Sequence, residues 1–480
     1  MSGLFYEIWP HIVWGITLLT TLLASGHAIL HKRETRSAVA WVGVIWLVPV
    51  VGAVLYVILG VNRIRRRARA LRSSQPRYRS SANTPYRFHK KNKDALQDQF
   101  AALSGLVEKI VSMPLLHGNR ITPLVNGDEA FPAMIKAIDK AERSVALSTY
   151  IFDNDRAGML FINALARAVD RGVEVRVLID DMGARYSLPS VTRKLKRAGI
   201  TSARFLPTFL PWRMPFVNLR NHRKILVTDG KTGFTGGMNI REGLLLKEQP
   251  RNPLKDMHFL VEGPVVDHLQ KAFAEDWAFC TGELLQDERW FPAMEPKGAV
   301  MARGIPDGPD EDFEKVLWTV HGALACAKSS VQIVTPYFLP DSALIRSLNL
   351  AAMRGVNVDI ILPSVNNLRI VKWASTDLYR QVLEYGCRIR HTPPPFDHTK
   401  LMLVDGAWTL FGSANMDPRS FQLDFEFNVE CYDQELAAQL EACIHTKLQG
   451  AQEVTLEDVN SRGLPVKLRD GIARLFSPYL

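Results

Sequence analysis

The chain carries one short pattern twice, and this repeat limits the folds that the chain can adopt. Each copy has a histidine, a lysine two residues later, an aspartate five residues after the lysine and an asparagine ten residues after the aspartate. The two copies are His222, Lys224, Asp229 and Asn239, and His398, Lys400, Asp405 and Asn415. One such set would mean little, but matching offsets in two copies are difficult to reach by chance. The repeat therefore predicts two copies of one structural unit.

Longer segments around the pattern repeat as well. Residues 144–152 (SVALSTYIF) resemble residues 330–338 (SVQIVTPYF), and residues 171–179 (RGVEVRVLI) resemble residues 354–362 (RGVNVDIIL). The first pair is rich in strand-forming residues, and the second pair is an apolar strand that follows a helix ending in Arg-Gly. Strand, helix and strand in this order predict right-handed βαβ units. We therefore expect an α/β fold with two pseudo-symmetric lobes, each a mixed sheet flanked by helices, and a site between the lobes.

The residue types in the repeated pattern suit phosphodiester chemistry. Strand alternation places His222 and Lys224 on one face of a hairpin that turns at Asp229, so both side chains can reach one phosphate. One histidine can attack phosphorus while the other protonates the leaving oxygen. The two lysines can neutralise the phosphate oxygens. These groups can cut and rejoin a phosphodiester with no metal and no other cofactor.

Two apolar segments near the N-terminus predict a membrane anchor of two helices. Residues 12–30 have His27 as their only ionisable side chain, and residues 38–61 carry no charge. A helix of about 20 apolar residues spans the roughly 30 Å hydrocarbon layer, and Pro49 and Gly52 are tolerable in such a helix. A cleaved signal peptide is disfavoured because residues 1–10 contain no basic residue. For the first segment, a re-entrant or interfacial position stays open.

Basic residues are concentrated directly after the second apolar segment. The net charge is +10, and residues 61–80 contain eight arginines and no acidic residue, so the rest of the chain is close to neutral. The charge balance therefore does not require a nucleic-acid partner. The connection between the apolar segments holds Lys32, Arg33 and Arg36. Because the more basic flank of a membrane segment stays in the cytoplasm, we predict a cytoplasmic catalytic region and an external connection.

These patterns divide the chain into four parts. Residues 1–62 are predicted to form the two-helix membrane anchor, and residues 63–115 a basic tether and connecting segment. Residues 116–298 and 299–480 are predicted to form the first and second lobes.

Cysteines and paired acids give no sign of a metal site. The five cysteines are an odd number and form no CxxC pair, which favours buried reduced thiols in a reducing compartment. Asp180 and Asp181 have no third ligand at a fitting spacing, so we expect them at a solvated strand end rather than at a metal.

At the repeated motifs the chain resembles the phospholipase D superfamily, and with its two apolar segments it looks like the bacterial cardiolipin synthase family. The resemblance covers nearly the whole chain, including residues 221–224 and 335–338. It implies that His222 and His398 are the nucleophile and the acid/base pair, with His222 favoured as nucleophile although pseudo-symmetry leaves the assignment open. The other implied site residues are Lys224, Lys400, Asn239 and Asn415, which hold phosphoryl oxygens, and Asp256 and Glu426, which orient the histidines. Asp229 and Asp405 complete the catalytic motif, although their turn positions also suit the capping of backbone amides.

The resemblance further implies the reaction and its location. The expected reaction is reversible transfer of a phosphatidyl group from one phosphatidylglycerol to another through a phosphatidyl-histidine, giving cardiolipin and glycerol. The expected partners are phosphatidylglycerol and anionic membrane lipid, without nucleic acid or cofactor, at a multi-pass position in the bacterial inner membrane. A homodimer is left open. The alternatives are a phospholipase D-type hydrolase, a phosphatidyl transferase with another alcohol or phospholipid donor, and a membrane-tethered nuclease. The apolar segment 205–217 before His222 favours lipid.

Overall fold

The computed structural model describes residues 2–32, 35–60, 86–88, 98–187, 189–207 and 219–477. The chain divides into two compact units, residues 1–67 and residues 68–480, and each is described by itself. The arginine-rich stretch, most of the tether and most of the apolar segment 205–217 lie outside the described residues.

The described part of the N-terminal unit contains three α-helices rather than two. Helix α1 is Ser2–His31, α2 is Thr35–Leu47, and α3 is Pro49–Leu55, continued by a π-helical turn at Tyr56–Gly60. Among the described residues, only the helix at residues 8–31 is both long and apolar enough to cross a membrane. The second apolar segment is therefore not the continuous helix that we predicted. Pro49 lacks the N–H that would continue the helix, and its ring forces the preceding residue out of the helical conformation.

The break at Pro49 folds the second apolar segment back on itself. A Cβ atom on Gly52 would lie 2.4 Å from the carbonyl oxygen of Val44. The ring centroids of Trp41 and Tyr56 are 5.4 Å apart. In one straight helix, at 1.5 Å per residue, these two pairs would be separated by about 12 and 22 Å. Helices α2 and α3 therefore form a tight helical hairpin.

The open end of this hairpin lies beside the C-terminal end of α1. The Nδ1 atom of His27 is 2.8 Å from the hydroxyl of Tyr56, and Ala28 is fully buried. Helix α2 begins four residues after α1 ends. Both ends of the hairpin are thus close to the same end of α1.

In the described part of the second unit, helix α4 is followed by nine strands and four α-helices that form the first half of the unit. The elements in chain order are α4 Asp98–Ile110, β1 Leu116–Val125, α5 Asn126–Lys140, β2 Ser144–Thr149, α6 Arg156–Asp170, β3 Glu174–Asp180, α7 Val191–Arg197, β4 Thr201–Phe205, β5 Arg220–Asn221, β6 Ile225–Thr228, β7 Thr232–Gly236, β8 Leu254–Lys255, β9 Met257–Glu262 and α8 Val266–Thr281.

The second half repeats this order, as the sequence predicts, except that a short helix stands in place of β8 and that one strand and two helices are added at its end. Its elements are β10 Val300–Asp307, α9 Lys315–Cys326, β11 Ser330–Val334, α10 Ser342–Met353, β12 Asn357–Pro363, α11 Arg369–Leu383, β13 Arg388–Thr392, β14 Phe396–Asp397, β15 Leu401–Val404, β16 Trp408–Gly412, α12 Pro418–Gln422, β17 Asp424–Tyr432, α13 Gln434–Leu448, β18 Gln452–Val454, α14 Leu456–Asn460 and α15 Leu464–Arg474. The prediction of two pseudo-symmetric α/β lobes is confirmed.

One mixed sheet runs through both lobes. Its strand order is β18-β13-β12-β11-β15-β16-β17-β10-β1-β9-β7-β6-β2-β3-β4, so β1 and β10 meet at its centre. Strands β2, β3 and β4 are parallel, whereas β2 and β6 are antiparallel. The second lobe has the same arrangement in β11, β12, β13 and β15. Phe259 and Phe411, from opposite lobes, stack at 3.7 Å between ring centroids inside a shared apolar cluster. The two lobes therefore share a core.

Two short strands cross from one lobe to the other. Strand β5 pairs in parallel with β17 of the second lobe, and β14 pairs in parallel with β8 of the first lobe. Each short strand leads directly into one of the repeated histidines. The two motifs are therefore held at the place where the lobes meet.

Candidate active site

Cross-lobe backbone contacts fix the position of both histidines. The N–H of His222 donates to the carbonyl of Phe425 over 2.9 Å, and the N–H of His398 donates to the carbonyl of Lys255 over 2.7 Å. Beyond each histidine the chain forms the predicted hairpin, β6–β7 in the first lobe and β15–β16 in the second. Six of the predicted site residues line one cavity of about 690 Å³: His222, Lys224, Asn239, Asp256, His398 and Asn415. Lys400 and Glu426 are buried directly beside the histidines.

Each histidine is oriented by a carboxylate from the opposite lobe. The Nδ1 atom of His222 is 3.2 Å from Oε1 of Glu426, and the Nδ1 atom of His398 is 3.0 Å from Oδ2 of Asp256. An ionised carboxylate only accepts hydrogen bonds, so Nδ1 carries the proton and donates it. The Nε2 lone pair of each ring is then available for attack or for proton transfer.

A second carboxylate lies beside His222, and sequence reasoning missed it. Asp424 Oδ2 is 3.6 Å from the Nδ1 atom of His222, and Asp424 is fully buried. Burial raises the pKa of Asp424 to about 6, against the lowering effect of His222. Burial also raises the pKa of Glu426. The sequence could have predicted this second carboxylate, because Asp424 and Glu426 are two residues apart on one strand and such side chains share a face.

Burial sets the charge state of both histidines. It lowers the pKa of His398 to about 4, with the Lys400 ammonium as the next cause, and lowers the pKa of His222 well below its usual range, with Lys224 as the next cause. Both rings are therefore neutral at pH 7 in the free protein. A bound phosphodiester anion would favour the imidazolium form, because an opposite charge nearby stabilises the charged state.

The two lysines are held by the backbone of their own motifs. Lys400 Nζ donates to the carbonyl of His398 over 2.6 Å and lies 3.1 Å from Nε2 of that ring, and Lys224 Nζ donates to the carbonyl of His222. Burial lowers the pKa of Lys400 to about 7 and also lowers the pKa of Lys224. An anion placed between the histidines would meet both ammonium groups.

The two asparagines differ in how their amides are held. The Oδ1 atom of Asn239 accepts the N–H of Ile151 over 3.0 Å, whereas the Nδ2 atom of Asn415 donates to Oγ of Ser420 over 3.2 Å. Both residues line the cavity. For Asn239 this bond leaves the amide NH₂ as the group that can donate to a phosphoryl oxygen.

The structure does not bring Asp229 and Asp405 to the cavity. Both adopt a left-handed backbone conformation at their turns, with φ values of 53° and 51°. The Asp229 carboxylate accepts the N–H groups of residues 142, 143 and 144, and the Asp405 carboxylate accepts those of residues 328, 329 and 330. Each aspartate therefore anchors the start of β2 or β11, which is the amide-capping role that the turn positions suggest, and contacts no reacting group.

The paired acids Asp180 and Asp181 are also placed differently from our expectation. Both are buried rather than solvated. Asp180 accepts the N–H of Asn221 over 2.8 Å, and Asp181 forms an ion pair of 3.1 Å with Arg204. Asp180 thus supports the strand that carries His222.

One group of side chains has the composition of a metal site. Ligand atoms of His222, Asp424 and Glu426 lie within 4.8 Å of one another. Arg419 Nε donates to Asp424 over 3.3 Å, and the Lys224 ammonium lowers the pKa of Glu426 against the raising effect of burial. The negative charge that would attract a cation is thus already balanced by two cationic side chains, and the residues present fit a metal poorly.

Comparisons with known proteins agree with this geometry. A family model described as "Cardiolipin synthase, PLD-like domain" matches residues 134–277 and 321–447, and one described as "Phospholipase_D-nuclease N-terminal" matches residues 16–60. Cardiolipin synthase A of Pseudomonas putida (strain W619) is 33% identical over 471 residues, covering 98% of both chains. Cardiolipin synthase 1 of Bacillus anthracis is 31% identical over 481 residues, covering 98% of this chain and 93% of the relative.

A solved structure shares the fold at lower identity. The crystal structure of phosphatidylserine synthase from Haemophilus influenzae Rd KW20 matches with a TM-score of 0.59 and 16% identity, covering 79% of this chain and all of the other. The likeness concerns the fold alone. Taken with the family models and the full-length relatives, the chain belongs to the cardiolipin synthase family of phospholipase D-like proteins.

Proposed function

We propose that the protein is a cardiolipin synthase that transfers a phosphatidyl group from one phosphatidylglycerol to the terminal hydroxyl of a second. The products are cardiolipin and glycerol. The observation that carries this proposal is that both His-Lys pairs face one cavity, with each histidine oriented by a carboxylate of the opposite lobe. Full-length similarity to curated cardiolipin synthases supports the same reaction.

In the first step, the Nε2 atom of His398 attacks the phosphorus of the donor lipid. The bond from phosphorus to the glycerol headgroup oxygen breaks, and the imidazolium of His222 gives its proton to that oxygen. Glycerol leaves, and a phosphatidyl group stays on His398. Asp256 supports this role of His398, because a single carboxylate at 3.0 Å holds the ring with Nε2 unprotonated.

In the second step, the terminal hydroxyl of the acceptor phosphatidylglycerol gives its proton to His222 and attacks the same phosphorus. The bond from phosphorus to His398 breaks, and cardiolipin is formed. Two carboxylates beside His222, Glu426 and Asp424, favour its alternation between imidazole and imidazolium. This assignment reverses the preference for His222 as nucleophile that the sequence alone suggested.

Charge stabilisation comes from side chains of this chain. Lys224 and Lys400 would face the phosphoryl oxygens, and Asn239 and Asn415 would donate from their amides. Such fixed donors are worth more in a buried site than in water. Asp229 and Asp405 are assigned to the support of β2 and β11.

A test of the reaction uses the purified full-length protein in liposomes of pure phosphatidylglycerol. Cardiolipin and glycerol should appear in equal amounts, and the His398→Ala variant should form neither. Phosphatidic acid as the main product would show that water is the acceptor and that the protein is a hydrolase. Cleavage of single-stranded DNA added to the same liposomes, at a rate comparable to lipid turnover, would support the nuclease instead.

We further propose that the protein acts at the bacterial inner membrane, on phosphatidylglycerol and other anionic lipid rather than on nucleic acid, with its catalytic region in the cytoplasm. The arginine-rich flank supports this orientation, because basic flanks stay on the cytoplasmic side. The lobe boundaries of 116–298 and 299–480 form part of this proposal. The multi-pass anchor that the sequence predicts would need two membrane crossings. Among the described residues, only the helix at residues 8–31 is long and apolar enough for one crossing.

A further inference from the structure

The two sides of the cavity differ at equivalent positions. Two residues before His222 stands Arg220, and two residues before His398 stands Phe396. Both line the cavity. A cation thus lies on one side of the reacting centre and an aromatic ring on the other, although the two strands are related by the pseudo-symmetry.

Arg220 is buried and forms no ion pair with a carboxylate among the described residues. It is 4% exposed, and its Nη1 atom donates to the carbonyl of Leu219 over 2.9 Å. Within the described part of the chain, no carboxylate oxygen lies within the 4.0 Å ion-pair distance of its guanidinium. The nearby Asp180 carboxylate accepts the N–H groups of Asn221 and Met182, and burial raises its pKa to about 7 against the lowering effect of the Arg220 charge. A buried guanidinium is costly unless an anion accompanies it, so this position favours an anionic ligand.

A second guanidinium faces the same part of the cavity. Arg419 lines the cavity with its side chain 28% exposed, and its Nε atom donates to Asp424 beside His222. The opposite side holds Phe396, Leu368 and Ile370 instead. Among the described residues that line the cavity, Arg220 and Arg419 are thus the arginines beside His222, whereas the third cavity arginine, Arg241, is paired with Asp153 over 2.8 Å.

The spacing of Arg220 and His222 matches the product. Side chains two residues apart on an extended strand share a face and are separated by about 7 Å. In cardiolipin, six bonds of about 1.5 Å link the two phosphorus atoms through the central glycerol, an extended span of about 6 to 8 Å. A lipid hydroxyl beside His222 therefore places its own phosphate beside Arg220.

We propose that Arg220, assisted by Arg419, binds the phosphate of the acceptor phosphatidylglycerol. This proposal rests on the proposed function and adds which side of the cavity the acceptor occupies. The acceptor enters on the side of His222, and the donor headgroup is replaced from that side. The protein then selects a lipid acceptor over water or a small alcohol because only the lipid has a phosphate that the Arg220 guanidinium can bind.

The test is a competition between two acceptors for one intermediate. Phosphatidylglycerol liposomes are incubated with the full-length protein and butanol, and the ratio of cardiolipin to phosphatidylbutanol is measured. This ratio does not depend on the fraction of active protein. In Arg220→Gln the ratio of cardiolipin to phosphatidylbutanol should fall about 10- to 100-fold. The lipid acceptor loses a charged hydrogen bond to its phosphate, whereas butanol has no phosphate and loses nothing. Arg220→Lys should restore part of the ratio.

The matched control is Arg241→Gln, which removes a cavity arginine that is already paired with Asp153 at 2.8 Å. Its product ratio should stay close to that of the unsubstituted protein. An unchanged ratio in Arg220→Gln, or an equal fall in Arg241→Gln, would overturn the acceptor site. If the unsubstituted protein makes phosphatidic acid and no cardiolipin, the proposed function fails instead, and the two failures are distinguishable.

The fold of the N-terminal unit carries a second, independent inference. Because α2 and α3 form a hairpin, the end of α3 at Tyr56 returns to the first half of α2 at Trp41 and to the end of α1 at His27. Lys32, Arg33 and Arg36 precede or begin the hairpin, and the eight arginines of residues 61–80 follow it. Two crossings would separate these basic groups across the membrane. Insertion of a hairpin from the cytoplasmic side would instead require neither basic segment of the sequence to cross the membrane, which agrees better with the retention of basic flanks in the cytoplasm.

We infer that α1 crosses the bilayer once and that the α2–α3 hairpin enters and leaves through the cytoplasmic leaflet. The 13 residues of α2 reach about 20 Å, less than the roughly 30 Å of the hydrocarbon layer. The exposed apolar tip at Leu47 and Val48 would end within the lipid. The first turns of α1, which contain no lysine or arginine, would lie on the outer face.

Cysteine labelling in intact cells tests this arrangement. The five native cysteines are replaced by serine or alanine, retained lipid turnover serves as the check of folding, and single cysteines are introduced by Ser2→Cys or Glu34→Cys. A membrane-impermeant maleimide should label the first variant in intact cells and the second only after lysis. The reverse pattern, with position 34 labelled from outside, would establish two crossings and overturn the hairpin insertion. If the cysteine-free protein is inactive, the same two substitutions are made in the protein that keeps its native cysteines, and their labelling is compared with that of the unsubstituted protein.

Discussion

The two halves of the active site share a motif but not an environment. His398 has one carboxylate partner, Asp256, whereas His222 has Glu426 and, 3.6 Å away, Asp424. Burial raises the pKa of Asp424 to about 6. A repeated motif therefore does not imply equal roles, and the side with two carboxylates is better suited to hold and release a proton.

The support beneath the motifs differs in a second way. In the first lobe, Arg223 of the motif segment forms a buried ion pair of 3.0 Å with Asp276 of helix α8. In the second lobe the charges are reversed, with Asp397 paired to Lys447 of helix α13 over 2.7 Å. The motif residue of the pair follows the histidine in the first lobe and precedes it in the second, and the polarity of the pair is opposite. What the repeat preserves here is a buried ion pair between the motif and its packing helix rather than particular residues.

The strongest test of the different roles of the two halves is to replace each histidine separately. We expect His222→Ala to lose roughly 10²- to 10⁴-fold in turnover, the usual contribution of an acid/base group, while a labelled phosphatidyl group still forms slowly on His398. His398→Ala should form no covalent adduct. Mass spectrometry of protein quenched after mixing with phosphatidylglycerol checks both. An adduct on His222 in the His398→Ala variant would assign the roles the other way round.

Substitution of the carboxylates that orient the histidines should have the next largest effect on turnover. Asp256→Asn should reduce formation of the adduct about 10²- to 10⁴-fold, because an amide can hold the ring in the wrong tautomer. Glu426→Gln should cost only about 10- to 100-fold, because Asp424 remains beside His222. Single-turnover kinetics on mixed micelles measures both losses. Equal losses would mean that Asp424 gives no support, and the comparison between the two sides would weaken.

The pH dependence should expose the buried lysine of the second copy. Since burial lowers the pKa of Lys400 to about 7, its ammonium loses a proton as pH rises above 7, and kcat/KM should fall on that alkaline side. Lys400→Arg keeps its charge throughout, so the alkaline fall should disappear, at a lower maximal rate. A pH–rate profile from 5.5 to 9 for both proteins measures this. A flat profile for the unsubstituted protein would show that Lys400 stays charged or has no part in catalysis.

The smallest effect should come from removal of metal ions. If the ligand-like group of His222, Asp424 and Glu426 acts in proton transfer, EDTA should change turnover by less than about twofold. Loss of activity in EDTA that Mg²⁺ or Zn²⁺ restores would assign a metal to the His222 side.

Local sequence patterns predicted much of the fold, and long-range pairing accounts for the rest. The offsets of His222, Lys224 and Asp229 predicted the hairpin and its turn, since these depend on neighbouring residues. The exchange of Glu426 and Asp256 between lobes depends on the pairing of β5 with β17 and of β14 with β8. Two-residue strands carry too little pattern for that pairing to be read from sequence.

The N-terminal unit shows a different limit of sequence reasoning. Apolar composition predicts burial in lipid equally well for one long helix and for two short ones. The decision between them rests on Pro49 and on the close approach that Gly52 permits to the Val44 carbonyl. The sequence displayed both residues, but not the contact that makes them decisive.

The exchange of carboxylates has a consequence for the cell that makes this protein. His222 and Glu426 are 204 residues apart in the chain, and His398 and Asp256 are 142 apart. While the chain is still emerging from the ribosome, its first lobe holds a histidine and a lysine without the acid that completes them. Under the proposed function, the first lobe would therefore be unable to cleave lipid until the second lobe has been synthesised and has folded against it.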